Sequence, residues 1–226
     1  ELVLLRWTIR GAEAAMARMC ENALPGRTEQ EIWAELHYEN IRSGGEWLET
    51  RICVAGPRTN PWYQECSDYV CQAGDMLAFD TDMIGPYGYC ADLSRSWTIG
   101  HGRMTNAQRE LYRTALEQIE HNVALIRAGM SFAEFVERQW QIPERYLENR
   151  YSLAVHGVGM ADEWPVVVLP PEAAGQHGGR FEENMVVCVE SLIGEPGAGE
   201  NVKLETQVVV TAQGAERLDS FPWEEV

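Results

Sequence analysis

Three carboxylates stand close together in the first half of the chain, at a spacing that could bind a metal ion. Asp80 and Asp82 follow the apolar residues 76–79, and side chains two residues apart point to the same side of a strand. Asp92 returns on a partner strand after residues 85–88, Gly-Pro-Tyr-Gly, which favour a turn. Three carboxylates on one hairpin repel one another unless a multivalent cation lies among them. The pattern predicts a metal site, with solvated turn residues as the alternative for two of the three.

The second half of the chain supplies three further candidate ligands. His156 opens the loop sequence His-Gly-Val-Gly, Glu190 ends an apolar strand, and Glu205 lies inside the alternating run 202–210. Five carboxylates and one imidazole exceed the needs of one ion and suit two divalent ions about 3.5–4 Å apart with bridging carboxylates. Oxygen-rich ligation with one histidine fits iron, manganese, cobalt or zinc.

Helices precede the acidic hairpin. Residues 1–24 carry apolar groups at helical spacing and stop at Pro25, because the residue before a proline disfavours the helical conformation. A second helix is predicted to begin at Thr28, which can form a capping box with Glu31. Residues 50–55 are typical of a strand that leads towards the hairpin.

The same succession of patterns returns later in the chain. A helix is predicted from near Asn106, and Ser131 with Glu134 forms a second possible capping box. Residues 75–79, before the first acids, resemble residues 184–188, before the next acid. Such a duplication predicts an α+β domain with one pseudo-twofold antiparallel sheet, helices on one face, and a site where the halves meet.

Composition limits the classes of function. The 226 residues carry a formal net charge of −17, which repels nucleic acid, and are 45% hydrophobic, as in globular proteins. The six cysteines lack the short paired spacings of a zinc–thiolate site and are interpreted as reduced thiols. No apolar run approaches the ~20 residues of a membrane span, so we expect a cytoplasmic protein without membrane contact.

The first residue, Glu1, lies inside an apolar periodic segment. We therefore expect residues 1–226 to be a single C-terminal catalytic domain whose N-terminal partner domain is missing from this chain.

The order of these residues resembles the pita-bread superfamily of methionine aminopeptidases, prolidases and creatinase. Hairpin acids, then His-Gly-x-Gly, then a glutamate ending one strand and a glutamate inside the last strand are shared with that superfamily. The resemblance extends from the first helix to Thr211. It implies the pita-bread fold and a binuclear site formed by Asp80, Asp82, Asp92, His156, Glu190 and Glu205.

This chain departs from the peptidases of the superfamily in three places. The hairpin acids of the peptidases are eleven residues apart, whereas Asp80 and Asp82 precede Asp92 by twelve and ten. The second histidine of the peptidase pattern His-Gly-x-Gly-x-x-x-His is replaced by Asp162, with one residue fewer. The loop that holds a substrate-binding histidine in peptidases contains Trp62 instead.

These departures resemble the lyases of the superfamily that cleave dimethylsulfoniopropionate into dimethyl sulfide and acrylate. The resemblance implies iron as the preferred metal, a homodimer, and an N-terminal domain that helps to cover the site. A small cationic carboxylate would be the substrate, and aromatic rings attract a sulfonium group by cation–π contacts of ~0.5–2 kcal/mol. Trp62, Trp164 and Tyr151 are the candidate substrate contacts.

The chemistry of such a lyase needs a base. Asp162 in a half-buried aromatic pocket would have a raised pKa and could remove the proton α to the substrate carboxylate. Tyr151 could hold the substrate or assist the base. A capping role for Asp162, and packing roles for Tyr151, Trp62 and Trp164, are the structural alternatives.

Two other functions remain open on this scaffold. An Xaa-Pro dipeptidase or aminopeptidase would use the same metal ligands, and an inactive binding module is the third possibility, disfavoured by the complete ligand set. The remaining histidines have no acidic companions at ligand spacing and are interpreted as surface or core residues: His37, His101, His121 and His177.

Overall fold

Each half of the chain forms two helices followed by antiparallel strands. The structure is a computed structural model that describes residues 1–169 and 178–224. In chain order the elements are α1 (Leu2–Asn22), α2 (Glu29–Arg42), β1 (Trp47–Leu48), β2 (Cys53–Ala55), β3 (Met76–Asp80), β4 (Met83–Ile84), β5 (Cys90–Ala91), β6 (Ser94–Thr98), α3 (Asn106–Leu125), α4 (Phe132–Arg138), β7 (Leu153–Val158), β8 (Asp162–Val168), β9 (Val186–Ile193), β10 (Val202–Val210) and β11 (Ala215–Arg217), with 3-10 turns at Gly56–Thr59, Pro86–Gly88 and Glu144–Asn149.

Helix α2 begins as predicted. The Thr28 hydroxyl accepts from the Glu31 amide at 3.2 Å, and the Glu31 carboxylate accepts from the Thr28 amide at 2.8 Å. Helix α4 has only half of the predicted second capping box, in which the Ser131 hydroxyl accepts from the Glu134 amide at 3.0 Å. The Glu134 carboxylate accepts instead from Arg138 at 2.9 Å, because a charged partner one turn away competes for it.

Helix α3 begins at Asn106, but its cap is the preceding residue. The Thr105 hydroxyl accepts from the Gln108 amide, and the Gln108 side chain accepts from the Thr105 amide. The predicted strand over residues 50–55 is shorter than expected, since only Cys53–Ala55 is paired as strand β2.

The sequence predicted one antiparallel sheet. The described residues form three antiparallel sheets instead. Their strand orders are β2-β3-β6, β1-β4-β5 and β11-β10-β9-β7-β8. The halves meet where β6 lies beside β10. The Ser96 hydroxyl donates to the Lys203 carbonyl at 3.0 Å and accepts from the Lys203 amide at 3.1 Å, so a side chain replaces direct pairing of the two backbones.

The duplication is visible in the register of the two central strands. Gly74 before β3 and Asn184 before β9 both have positive φ, at 87° and 73°. Gly74 is therefore the residue equivalent to Asn184, whereas the sequence comparison aligned residue 75 with residue 184. The alignment of the two halves shifts by one residue. In the corrected register Asp80 ends β3 where Glu190 lies in β9, so both halves contribute an acid at the same place.

Helices cover one face of these strands, and the alternate positions form the other face. Leu77 and Phe79 of β3 pack in the cluster with α1 and α2, whereas Ala78 belongs to a small cluster on the opposite face. In β10, Leu204 packs in the cluster with α3 and α4. Because side chains alternate, Glu205 then lies on the face that the helices leave open.

The cysteines and the helices add two further observations. All six cysteines are free thiols, and five of them are buried. Across the described part of the chain, no helix has both the length and the apolar character required to cross a membrane.

Candidate metal centre

The three hairpin acids come together at the end of β3. Asp80 is the last residue of that strand, Asp82 follows with a φ of 36°, and Asp92 lies between β5 and β6. Strand alternation, on which the prediction was based, does not apply beyond Asp80, because Thr81 turns the chain and its hydroxyl bonds to the Ala91 carbonyl at 2.8 Å. Oxygens of the three acids nevertheless lie within 4.8 Å of one another.

The second half adds its three predicted ligands to the same place. His156 lies on β7, Glu190 on β9 and Glu205 on β10, and these strands are neighbours in the five-stranded sheet. Nε2 of His156 is 3.5 Å from Asp92 Oδ2 and 3.2 Å from both Glu190 Oε1 and Glu205 Oε1. The structure therefore brings all six predicted ligands into one buried cluster.

The protonation of His156 favours a cation at this point. Its Nδ1 lies 3.2 Å from the Gly157 carbonyl, which can only accept, so that nitrogen carries the proton. Burial lowers the pKa of His156, but the hydrogen bonds and charges of Glu190 and Glu205 raise it well above its ordinary value, so without a metal ion Nε2 also carries a proton that faces these carboxylates. A metal ion would take the place of that proton, as metal-binding histidines use one nitrogen for the metal and the other for a backbone carbonyl.

Two carboxylate oxygens provide a second indication of fit. Asp92 Oδ1 and Glu190 Oε1 are buried and have no hydrogen-bond partner among the described residues. A buried charged oxygen without a partner costs several kcal/mol, so such atoms require a ligand. The residues fit divalent ions bound through oxygen with one imidazole nitrogen.

The electrostatics of the acids agree with this conclusion. Burial and, after it, the charge of Asp80 raise the pKa of Asp82 well above its ordinary value. Burial and the charge of Glu205 likewise raise the pKa of Asp92. Burial would also raise the pKa of Glu205, but the ammonium of Lys203 lowers it below its ordinary value. Divalent ions would lower the pKa of every acid in the cluster.

The potential ligands form three overlapping groups. They are Asp80 with Asp82 and Asp92; Asp92 with His156, Cys188 and Glu205; and Asp80 with Glu190 and Glu205. The first two groups share Asp92, as a carboxylate bridging two ions would be shared. The third group is occupied by a cation of the chain, since Nζ of Lys203 lies 2.8–2.9 Å from one oxygen of each member.

Sequence reasoning missed both Lys203 and Cys188. Each precedes a predicted glutamate by two residues on the same strand, and that spacing was the signal that could have identified them. The Cys188 thiol is fully buried and donates to the Asp92 carbonyl at 3.4 Å. It therefore borders the cluster without occupying any of the predicted ligand positions.

Asp162 lies beside His156 but on the other edge of the ring. Its Oδ1 is 3.5 Å from Nδ1 of His156 and accepts from the Glu163 amide at 2.9 Å. Burial raises the pKa of Asp162 to about 6, while His156 acts in the opposite direction. The placement suits a base whose pKa is close to neutral, and it also suits a residue that orients the metal-binding ring.

The predicted substrate contacts lie in two different environments. Trp62 and Tyr151 are buried in one cluster, and their ring centroids are 5.8 and 5.3 Å from Nζ of Lys203. Trp164 is 64% exposed on β8. Tyr63, which the sequence did not suggest, packs on Tyr151 at 5.4 Å and is 61% exposed, so an aromatic surface connects the buried rings with solvent.

Two buried groups in this aromatic region have protons to donate. The indole Nε1 of Trp62 has no hydrogen-bond partner among the described residues. Burial raises the pKa of Tyr151 far above its ordinary value, so its phenol stays protonated. Tyr151 therefore suits holding a substrate oxygen better than acting as a base.

The other histidines that the structure describes do not take part in the cluster. His37, His101 and His121 are exposed, as expected for surface residues. His177 lies outside the described residues.

Comparison with known proteins agrees with the fold. Residues 4–212 match metallopeptidase family M24. The chain is 40% identical to "Dimethylsulfoniopropionate lyase DddP" from Roseovarius nubinhibens, over 99% of this chain and 52% of that protein. It is 24% identical to "Xaa-Pro aminopeptidase" from Escherichia coli, over 96% of this chain and 54% of that protein. The chain thus spans about half the length of these relatives.

Solved structures give the same result. The chain superposes on "Xaa-Pro dipeptidase from Bacillus anthracis" with a TM-score of 0.86 and 25% identity, covering 99% of this chain and 61% of that one. It superposes on "Prolidase from Pyrococcus furiosus" with a TM-score of 0.84 and 24% identity, covering 100% of this chain and 64% of that one. The predicted pita-bread fold of the α+β class is confirmed. The chain belongs to metallopeptidase family M24, whose enzymes depend on two metal ions.

Proposed function

We propose that the protein is a metal-dependent lyase that cleaves dimethylsulfoniopropionate into dimethyl sulfide and acrylate. The observation that carries this proposal is Asp162, a buried carboxylate with a pKa raised to about 6, at the edge of the metal centre where the peptidase pattern has a histidine. The identity of 40% to a dimethylsulfoniopropionate lyase, against 24% to an Xaa-Pro aminopeptidase, supports the same choice.

The reaction is an elimination that the residues can support. Asp162 accepts the proton from the carbon next to the substrate carboxylate, and the electron pair of that C–H bond forms the C=C bond of acrylate. The C–S bond breaks, and its electron pair leaves with neutral dimethyl sulfide. Metal ions bound by the six ligands would hold the substrate carboxylate and acidify the proton.

The aromatic groups have separate tasks in this proposal. Tyr151 and the indole N–H of Trp62 donate hydrogen bonds to the substrate. The inner region near these rings already contains the ammonium of Lys203, which repels a second cation. The sulfonium group therefore lies towards the exposed rings of Tyr63 and Trp164, which can attract it by cation–π contact.

The metal of the proposed enzyme is iron, with manganese, cobalt and zinc as alternatives that the ligand set also accepts. Elemental analysis of full-length protein grown with ample metal should give about two ions per chain. A content below about one ion per chain would contradict a binuclear site.

A direct comparison of substrates tests the reaction. The full-length protein, loaded with metal, is incubated with dimethylsulfoniopropionate or with an Xaa-Pro dipeptide, and dimethyl sulfide and free amino acid are measured. We expect dimethyl sulfide from dimethylsulfoniopropionate and no free amino acid from the dipeptide. The reverse would identify an Xaa-Pro peptidase, which the fold also suits, and neither product would favour the binding module.

A further inference from the structure

Lys203 is a buried cation whose ammonium is surrounded by carboxylates. The residue is 0% exposed. Its Nζ donates to Asp80 Oδ2 at 2.8 Å and lies 2.9 Å from Oε2 of both Glu190 and Glu205. The Ser94 hydroxyl, at 2.8 Å, is the fourth oxygen around it. Four oxygens surround an ammonium that has three protons to donate, so its hydrogen bonds and charge are shared among all of them.

The two glutamates divide their oxygens between Lys203 and the metal-facing side. In both Glu190 and Glu205, Oε2 lies against the ammonium while Oε1 lies 3.2 Å from Nε2 of His156. We propose that Lys203 is a permanent third cation of the metal centre, which holds one oxygen of each glutamate and of Asp80 and thereby determines which oxygens are offered to the metal ions. Lys203 is a positioning residue in this proposal and would serve a lyase or a peptidase alike.

The duplication of the fold supports the assignment. In β10, Glu205 pairs with Glu190 across the strands, as Ser94 of β6 pairs with Asp80 in the other half. Counted from these pairs, Lys203 precedes Glu205 by two residues just as Asp92 precedes Ser94. Lys203 in the second half therefore occupies the position that corresponds to Asp92 in the first half, so a cation stands where the other half has a carboxylate.

The charge balance of the cluster and the fixed position of the Lys203 side chain also support the proposal. Two divalent ions do not balance the carboxylates of Asp80, Asp82, Asp92, Asp162, Glu190 and Glu205, and Lys203 supplies a further positive charge. Its backbone is tied to β6 through Ser96, and the rings of Tyr151 and Trp62 lie over its ammonium. The side chain thus has a defined place, which a group that orients ligands requires.

The test compares thermal unfolding of full-length wild-type protein and Lys203→Met, each with Mn2+ and after chelation. Without divalent ions the variant leaves three buried carboxylates without their counter-charge, so its midpoint should fall by on the order of 10 °C relative to chelated wild type. With Mn2+ bound the difference between the two proteins should be smaller, because the ions supply most of the positive charge that the same acids need. Lys203→Arg, which keeps the charge, should resemble wild type in both states.

Arg95→Met is the matched control. Arg95 is the other buried cation beside β10, but it pairs with Asp219 and reaches Glu205 only through the backbone carbonyl. Its loss should lower the midpoint equally with and without Mn2+. The same equal loss in Lys203→Met, or failure of that variant to fold even with Mn2+, would overturn the proposal, and so would a chelated variant as stable as wild type.

A spectroscopic measurement addresses the choice of oxygens. In Co2+-loaded Lys203→Met, Oε2 of Glu190 and Oε2 of Glu205 lose the ammonium and can also coordinate, so the coordination number rises and the visible Co2+ absorption weakens relative to wild type. An unchanged spectrum would show that Lys203 does not direct the ligand oxygens.

Discussion

Asp162 Oδ1 lies 3.5 Å from Nδ1 of His156, on the ring edge opposite the Nε2 that faces the carboxylates of the metal centre. One imidazole therefore separates the proposed base from the predicted metal ligands. This arrangement keeps Asp162 close to the centre without placing it among the ligands, and it makes its two possible roles separable by experiment.

Replacing Asp162 by Asn should lower turnover of dimethylsulfoniopropionate by on the order of 10²–10⁴, because the amide keeps the size but cannot accept the proton. Metal affinity should be unchanged. Calorimetric titration with Mn2+ checks this, since a residue that only orients His156 would cost about 10–100-fold in metal affinity. Glu163→Gln, which removes an exposed neighbouring carboxylate, is the control and should keep wild-type turnover.

Turnover should depend on pH through the same residue. The base is active in its charged form, and burial raises the pKa of Asp162 from 3.8 to about 6. Activity should therefore rise as the pH increases through about 6 and be lost below it, whereas an unshifted aspartate would stay active down to about pH 4. Rates are measured with metal content determined at each pH. A flat profile down to about pH 5 at full metal content would exclude Asp162 as the base.

His156→Ala and Glu190→Ala should lose metal and activity together. Each substitution removes one ligand and leaves the remaining acids to repel one another. Metal analysis and turnover are measured on the same preparations, with the exposed His121→Ala as the control that keeps both. Full metal content with wild-type turnover in either ligand variant would remove that residue from the centre.

Gly157→Ala should destabilise the β7–β8 hairpin, which carries His156 and Asp162. A Cβ at this position would lie 2.0 Å from the Trp164 carbonyl oxygen, and the backbone has to move to accept it. We expect a loss of about 2 kcal/mol or more in the free energy of unfolding, measured by denaturant titration, together with lower turnover. A Cβ at Gly159 would have no atom within 4 Å, so Gly159→Ala should leave the free energy of unfolding unchanged. Equal stability of the two variants would refute the packing argument.

The sequence alone was sufficient for the fold class and for selecting six residues that the fold brings into one buried cluster. Capping residues such as Thr28 act locally, and turn residues such as Gly85 and Pro86 close a hairpin wherever it is placed. The ligand types and their order in the chain predicted a metal centre for a similar reason, because clustered carboxylates need a cation in any fold that buries them.

Other features required the tertiary structure. Lys203 lies on a strand whose alternation predicts only which face it occupies, and the acids that surround it come from both halves of the chain. Exposure likewise depends on what covers a residue, which is why Trp164 is open to solvent while Trp62 is buried. The one-residue shift that places Asp80 in register with Glu190 depends on the positive φ of Gly74 and Asn184. Asparagine adopts positive φ only in a minority of cases, so the residue type of Asn184 does not predict this conformation.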